Sequence, residues 1–258
     1  MTILTRRSLF TIGAGGLLLG GCDKLSYNPN VVSVLESAEG ATLRWQRLIG
    51  RNALAREFTE ADISPVFKAN GSRSVDTDAY LEASESDFVD WRLKVDGLVA
   101  RPLSLSLAQL HALPQRTQIT RHDCVEGWSA IGKWTGPQLG TILNAAGLLP
   151  AARYIVFLCA DNYGGELSKG GDQSKGLYYE SIDLVDGLHP QTIMAHSMNG
   201  AALDVAHGAP LRLRVERQLG YKHAKYVMQI KAVNSLAGFG AGKGGYWPDR
   251  GYEWFAGI

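Results

Sequence analysis

Arg121-His-Asp-Cys-Val-Glu-Gly-Trp-Ser-Ala-Ile-Gly-Lys-Trp-Thr-Gly-Pro137 is the stretch of this chain that says most about its fold. Cys124 follows a histidine and an aspartate and precedes a glutamate, so its thiol lies in a polar setting. A lone cysteine in a chain of this size is more often a small buried hydrophobic residue. Thr135-Gly-Pro137 predicts the start of a helix, with Thr135 as its cap.

Outward from this stretch, the pattern of apolar residues predicts short strands and short helices. Strands are predicted at 91–95, 99–105, 117–120, 154–159, 192–195, 211–216 and 226–233. Helices are predicted at 43–48, at 106–113, after Pro137 and from residue 181. The helix after Pro137 carries Leu139, Ile142, Leu143 and Ala146 on one face and ends at Gly147. Many strands with scattered short helices indicate the α+β class.

Composition is that of an ordinary globular protein. The 258 residues are 45% hydrophobic and 20% charged, and the net charge of +1 gives no basis for binding nucleic acid through bulk electrostatics. Of the three cysteines, one belongs to the leader, which leaves Cys124 and Cys159 as a pair that could form a disulfide. Neither a disulfide framework nor a zinc Cys-x-x-Cys array is present in the sequence.

Residues 1–22 are predicted to be an export signal. Paired arginines at 6–7 precede an apolar run at 9–19 that is too short and too rich in glycine to span a bilayer. Leu19-Gly-Gly-Cys22 is similar to a lipobox, and the paired arginines are typical of the twin-arginine route, which exports folded proteins. Asp23 then favours retention at the inner membrane, on its periplasmic side. The alternative is a plain signal peptide that contains a cysteine.

The rest of the chain divides into a connector and one domain. Residues 23–60 are predicted to be the connector, in which Tyr27-Asn-Pro-Asn30 predicts a turn, and residues 61–258 the domain. Residues 161–176 are polar and rich in glycine, which predicts a loop long enough to be functional. The tail at 238–258, rich in glycine and aromatic residues, is predicted to wrap the surface.

Three kinds of chemistry are open to a thiolate at Cys124. A nucleophile needs a base, and His122 lies two residues earlier, on the same face of a strand. A redox thiol needs a second cysteine close by, and no Cys-x-x-Cys motif is present. A single soft ligand suits a metal whose remaining ligands come from a cofactor.

A second cluster favours an anionic cofactor. His207-Gly-Ala-Pro-Leu-Arg212 places an arginine at the start of a strand after a tight turn. Gly220-Tyr-Lys-His-Ala-Lys225 gathers two lysines and a histidine around a glycine. Such loops bind anions through charged side chains and exposed backbone amides. A solvated charged face is the alternative interpretation.

Taken together, these segments resemble the sulfite oxidase superfamily of molybdopterin oxidoreductases, and most of all its bacterial members that are exported by the twin-arginine route. The resemblance runs from about Phe67 to Val233 and includes Trp91-Arg-Leu-Lys-Val-Asp-Gly, His189-Pro and Asn199-Gly. It implies a sulfite-oxidase-type molybdopterin-binding fold of mixed β-sheets with short helices. A C-terminal immunoglobulin-like dimerisation domain is not expected.

The resemblance also implies roles for individual residues. Cys124 would be the thiolate ligand of molybdenum, with two further sulfurs from the pterin dithiolene. Contacts with molybdopterin would come from Phe67, Lys68, Asn70, Cys159, His207, Arg212, His223, Ala224 and Lys225. The arginine cluster that holds sulfite in the family is not recognisable here. Arg121 is therefore the candidate catalytic contact with substrate, and Lys169 is a second candidate. Arg121 is equally well explained as a salt-bridged strand residue.

The function implied is oxygen-atom transfer on a small sulfur- or nitrogen-containing substrate. Electrons would be exchanged with a separate haem-containing partner. The enzyme would be a monomer in the periplasm, held at the membrane only by a lipid on Cys22. Two alternatives stay open: an envelope lipoprotein that binds the cofactor without catalysis, and a hydrolase with Cys124 as nucleophile and His122 as base.

Overall fold

The computed structural model describes residues 28–162 and 176–258. Contacts divide the chain into a unit that ends at Ala53 and a unit from Leu54 to Ile258. The predicted export signal with Cys22 lies outside the described residues, as does Lys169. Within the two described ranges, no helix is both long enough and apolar enough to cross a membrane.

The described part of the first unit, from residue 28 onward, contains one long helix, α1 (Pro29–Gly50). Asn28 caps it, because its side-chain oxygen accepts the amide of Asn30 at 3.0 Å. Pro29 lies in the first turn of the helix. Backbone amides in this turn have no hydrogen-bond acceptor within the helix, so the amide proton that proline lacks is not needed there. The predictions of a turn at 27–30 and of only a short helix at 43–48 were therefore wrong, because Asn-Pro-Asn starts a helix here.

The described part of the second unit is built from short helices and eleven strands. The helices are α2 (Asp78–Glu85), α3 (Leu107–Ala112), α4 (Leu139–Ala146) and α5 (Leu184–Gly187), with 3₁₀ turns at Glu60–Asp62, Val205–His207, Gly220–Lys222 and Pro248–Arg250. The strands are β1 (Arg92–Gly97), β2 (Leu103–Ser106), β3 (Gln115–Asp123), β4 (Ser129–Pro137), β5 (Tyr154–Asn162), β6 (Leu177–Asp183), β7 (Thr192–Ala195), β8 (Ser197–Met198), β9 (Ala201–Ala202), β10 (Arg212–Val215) and β11 (Val227–Val233). The predicted α+β class is confirmed.

The main core lies against a five-stranded mixed sheet of order β2-β1-β11-β5-β6. Its β1 and β11 are parallel, and its other neighbours are antiparallel. The apolar face of α4 is buried in this core and the helix ends at Gly147, whose φ is 71°, as predicted. The helix predicted from residue 181 starts later: Ser181 and Ile182 belong to β6, and Asp183 caps α5.

A four-stranded sheet, β3-β4-β8-β9, delivers Cys124 to the end of a hairpin. The β3–β4 ladder runs from Gln115 opposite Pro137 to Asp123 opposite Ser129, so Cys124 is the first residue of the turn. The prediction that Thr135 caps a helix was wrong. The ladder continues through Thr135 to Pro137, and Gln138 takes the capping position of α4.

Strand β10 pairs with β7, and its two faces are both buried. The alternation at 211–216 is therefore not an alternation between core and solvent. Arg212 and Arg214 are fully buried, and Glu216 is 4% exposed. Charged residues that are buried to this extent need hydrogen-bond or ion-pair partners inside the protein.

Candidate active site

Cys124 lines a cavity of about 150 Å³. The turn that presents it is closed by two backbone hydrogen bonds, from its own amide to the carbonyl of Trp128 at 2.9 Å and from the amide of Gly127 to its carbonyl at 3.0 Å. The thiol is half-buried and free. Burial is the main cause that raises its pKa, so the group is protonated near neutral pH unless a metal ion binds the thiolate.

One side of the cavity is polar and contains buried atoms that have no hydrogen-bond partner among residues 28–162 and 176–258: Oδ1 of Asn70, Oδ1 of Asp161 and Nδ1 of His223. His223 Nε2 lies 3.0 Å from the carbonyl of Gln218, to which it donates, so its Nδ1 carries a lone pair. Such atoms are costly when buried alone. The cavity therefore suits a ligand with several polar groups.

Lys225 is the cation of this polar side. Its Nζ donates to the carbonyls of Ser72 and of Ala206, the latter at 2.9 Å. Burial, with the charge of the neighbouring Arg212 as the second cause, lowers the pKa of Lys225 to about 7. Burial raises the pKa of Asp161 to about 6, although Ser72 donates a hydrogen bond to that carboxylate at 2.7 Å. An anion bound beside Lys225 would stabilise its charged form.

Behind this side, two arginines of β10 stack on Trp134. The guanidinium carbons of Arg212 and Arg214 lie 4.9 Å and 4.3 Å from the ring centroid. Arg214 pairs with Glu216 at 2.6 Å, whereas Arg212 donates to the carbonyl of His207 at 2.8 Å and pairs with no carboxylate within residues 28–162 and 176–258. Burial lowers the pKa of Arg212 to about 9, with Arg214 as the second cause. Arg212 is thus a buried cation suited to an anionic ligand.

Three further predicted residues are brought close to this group. The ring of Phe67 packs 5.3 Å from that of Trp134, and its carbonyl lies 3.0 Å from His207 Nε2. His207 Nδ1 faces a carboxylate oxygen of Asp204 at 2.7 Å. Ala224 is buried, and its carbonyl accepts the amide of Leu213 at 2.8 Å. Its backbone thus fixes the turn between His223 and Lys225 to the sheet.

Three other predicted residues lie outside the cavity wall. Lys68 is exposed and pairs with Glu126 at 3.3 Å. Arg121 is also exposed, pairs with Asp123 at 2.8 Å, and lines a separate surface pocket. Cys159 lies in the apolar core on β5, where burial raises the pKa of its thiol. It is a free cysteine, as Cys124 is, so the disulfide that the sequence allowed is not formed.

His122 is not arranged as the base of a nucleophilic cysteine. It is fully buried, and its Nδ1 accepts a hydrogen bond from Arg214 at 2.9 Å. Burial, with Arg214 and Arg212 as further causes, holds the pKa of His122 well below its ordinary value. Its ring packs 4.9 Å from that of His223, so His122 supports the cavity wall.

Sequence reasoning missed several lining residues. Asp161 and Ser72 complete the polar side, and Tyr178, Trp247 and Tyr252 form an aromatic side. Asp161 follows an apolar strand and carried no motif, whereas the aromatic residues of the tail were interpreted as a surface wrap. Among the described residues, no cluster of three or more His, Cys, Asp or Glu side chains could hold a metal ion.

Comparisons with known proteins identify the family of this chain. Residues 80–237 match the family described as "Oxidoreductase molybdopterin binding domain". The chain is 39% identical over 252 residues to YedZ1 of Azospira oryzae, named provisionally as a protein-methionine-sulfoxide reductase subunit, with 94% of this chain and 83% of YedZ1 covered. It is 31% identical over 169 residues to MsrP of Xanthomonas campestris, the catalytic subunit of a protein-methionine-sulfoxide reductase, with 62% of this chain and 50% of MsrP covered.

A solved structure, the sulfane dehydrogenase SoxCD from Paracoccus pantotrophus, is 22% identical and has a TM-score of 0.49, with 57% of this chain and 39% of that chain covered. The chain spans about half the length of MsrP. The family match and the identity to YedZ1 over most of both chains confirm the resemblance found in the sequence. The chain therefore belongs to the molybdopterin-binding oxidoreductase family, is an enzyme, and has molybdopterin as its cofactor.

Proposed function

We propose that this enzyme reduces methionine sulfoxide to methionine, with Cys124 as the protein ligand of molybdenum. The observation that carries the proposal is that Cys124 lines the same cavity as Lys225 and three buried polar atoms without partners in the described ranges. The names of YedZ1 and MsrP support the substrate. The reduction consumes two electrons and two protons for each sulfoxide and releases a thioether and water.

The residues present fit the cofactor. Lys225 and Arg212 are buried cations that would offset the charge of its phosphate. Asn70 Oδ1 and His223 Nδ1 are buried acceptors without partners in the described ranges, and they would receive N–H groups of the pterin. When bound, molybdopterin supplies a metal centre that exchanges two electrons and an oxygen atom. The chain's part is to fix the thiolate, bury the cofactor and leave one open side for substrate.

Export and electron supply belong to the same proposal. The paired arginines at 6–7 and the lipobox-like Cys22 support export of the folded enzyme and a lipid anchor on the periplasmic side of the inner membrane. The enzyme would act as a monomer and receive its electrons from a separate haem-containing partner. The word "subunit" in the names of YedZ1 and MsrP supports such a second component.

The substrate is tested with purified enzyme from a host that makes molybdopterin. A reduced viologen dye serves as electron donor for methionine sulfoxide, and an oxidised dye as acceptor for sulfite. We expect oxidation of the viologen that depends on methionine sulfoxide and yields methionine in equal amount. Turnover of sulfite with no turnover of any sulfoxide would contradict the proposal.

A further inference from the structure

Besides its polar residues, the Cys124 cavity is lined by four aromatic side chains, and three of them, Tyr221, Trp247 and Tyr252, form what we call the aromatic wall. The rings of Trp247 and Tyr252 are stacked with centroids 5.0 Å apart and an interplanar angle of 25°. The ring of Tyr221 meets that of Tyr252 edge-on at 5.3 Å. Tyr252 is 38% exposed, so the wall extends from the cavity to the surface.

The wall is held in place by backbone contacts of the tail. The amide of Tyr252 donates to the carbonyl of Trp247 at 3.1 Å, across a turn in which Gly251 has a φ of 99°. The hydroxyl of Tyr221 donates to the carbonyl of Glu253 at 2.6 Å. Trp247 and Tyr252 both follow residue 237, where the family match ends. The wall thus joins Tyr221, which lies within the matched range, to two residues of the tail.

The charges around the cavity do not suit a small dianion. Of the lining residues that the structure describes, Lys225 is the cation, whereas Glu126 and Asp161 carry carboxyl groups. The Nζ of Lys225 already donates to two backbone carbonyls, and we assign this lysine to the cofactor. A sulfite ion would meet carboxylates and aromatic faces. The side chain of a methionine sulfoxide residue within a protein carries no charge to be repelled, and its hydrocarbon arm can bury apolar surface against the rings.

We propose that this aromatic wall determines specificity, by holding the hydrocarbon arm of methionine sulfoxide and so selecting neutral sulfoxides with an arm over inorganic oxyanions. The inference rests on the proposed function and adds the residues that choose the substrate. The methyl and methylene groups next to sulfur are polarised and pack favourably on aromatic faces, as thioether sulfur itself does. Dimethyl sulfoxide has methyl groups on sulfur but lacks the longer hydrocarbon arm, so it buries less apolar surface and would gain less from the wall.

The test compares two substrates in variants of the rim residue Tyr252: dimethyl sulfoxide, and methionine sulfoxide whose amino and carboxyl groups are both blocked as amides so that it carries no charge. In Tyr252→Ala we expect KM for methionine sulfoxide to rise about tenfold with kcat almost unchanged, since the ring contact is made in the bound state as well as in the transition state. KM for dimethyl sulfoxide should change less than about twofold. Tyr252→Phe, which keeps the ring, should behave as wild type. Trp247→Leu removes the other ring of the stack and should reproduce the alanine result.

Calorimetry of methionine sulfoxide binding to the oxidised holoenzyme gives a second readout, because no turnover occurs without a donor. Phe239→Ala is the matched control, since Phe239 belongs to the same tail but packs near Tyr179, outside the cavity. Equal affinities and equal KM values in wild type, Tyr252→Ala and Trp247→Leu would show that the aromatic wall does not determine specificity. The proposed reductase function would not be affected by that result. If the wild type turns over sulfite and no sulfoxide, the proposed reductase function is wrong. The proposed role of the aromatic wall in specificity is then wrong as well.

Discussion

His122 and Arg214 are joined by a hydrogen bond of 2.9 Å, although 92 positions separate them in the chain. A guanidinium has no acceptor, so Arg214 donates and His122 Nδ1 accepts. The bond ties β3, which delivers Cys124, to β10, which carries Arg212. Glu216 accepts from the same arginine, and Gln118 of β3 donates to Glu216 at 2.9 Å. The two halves of the cofactor site are thus fixed to each other by one buried network.

Removal of one charge from this network should destabilise the protein strongly. In Arg214→Met the carboxylate of Glu216 stays buried without its cation, which should cost about 3–5 kcal/mol of the free energy of unfolding. The matched control is Lys133→Met, since Lys133 pairs with the exposed Glu60 at 2.8 Å. This control should cost less than about 1 kcal/mol. Urea unfolding measures both, and equal losses would contradict a structural role for the buried pair.

Gly220 should be intolerant of any side chain. A Cβ at this position would lie 2.5 Å from His122 Nε2, and Arg214 prevents that ring from moving away. We expect Gly220→Ala to shift the turn that carries His223 and Lys225 and to lower the molybdenum content at least severalfold. Gly238→Ala, where nothing lies within 4 Å of the added Cβ, should retain wild-type content. Full molybdenum in Gly220→Ala would mean that the turn does not position the cofactor.

His196 should make stability depend on pH. It stacks on His111 with centroids 3.8 Å apart, and burial followed by the charge of His111 lowers its pKa to about 4. Its pKa in the unfolded chain is about 6.5, so the unfolded state takes up the proton first and stability falls as pH decreases from about 6.5 to about 4. Between about pH 7.5 and about pH 5 the wild type should lose about 2 kcal/mol more than His196→Gln.

Unfolding of the two proteins by urea at both pH values measures this difference. His196 is remote from the Cys124 cavity, since it contacts Gln115 at 2.9 Å and Ser197 at 2.8 Å. The cofactor should therefore not alter the result. Parallel losses in wild type and variant would show that His196 is not the group that titrates.

The export proposal predicts a separation of folding from transport. If both arginines at 6–7 are replaced by lysine, cofactor-loaded enzyme should accumulate in the cytoplasm, because the twin-arginine route accepts folded cargo and reads this pair. Cell fractionation with a molybdenum assay of each fraction measures the outcome. Normal amounts of loaded variant in the periplasm would contradict this route.

Much of the fold could be predicted from local patterns. The apolar face of α4, its end at Gly147 and the strand that leads to Cys124 follow from periodicity and from single residues with special backbone preferences. Thr135 was misassigned because the strand signal of β4 depends on pairing with β3, which lies before it in the chain. A capping residue is a weaker determinant than nine paired residues of a ladder.

The cavity could be predicted only in part. Cys124, Arg212 and Lys225 belong to segments that resemble a known family, so their placement was expected. Asp161 and Trp247 carry no local signal, because their role depends on which distant segments fold against them. The burial of Arg214 could not be predicted from the sequence either. Charged residues that alternate with apolar ones usually face solvent, and only the structure shows Glu216 and Trp134 beside this arginine.

The central claim is that the sulfur of Cys124 holds molybdenum, and the two free cysteines of the described chain provide a matched pair to test it. Molybdenum is measured in wild type, Cys124→Ser and Cys159→Ser, together with the number of sulfur neighbours from X-ray absorption. We predict about one molybdenum per chain in wild type and Cys159→Ser, and in Cys124→Ser either loss of the metal or one sulfur neighbour fewer. A Cys124→Ser protein with full molybdenum and an unchanged sulfur count would contradict the account.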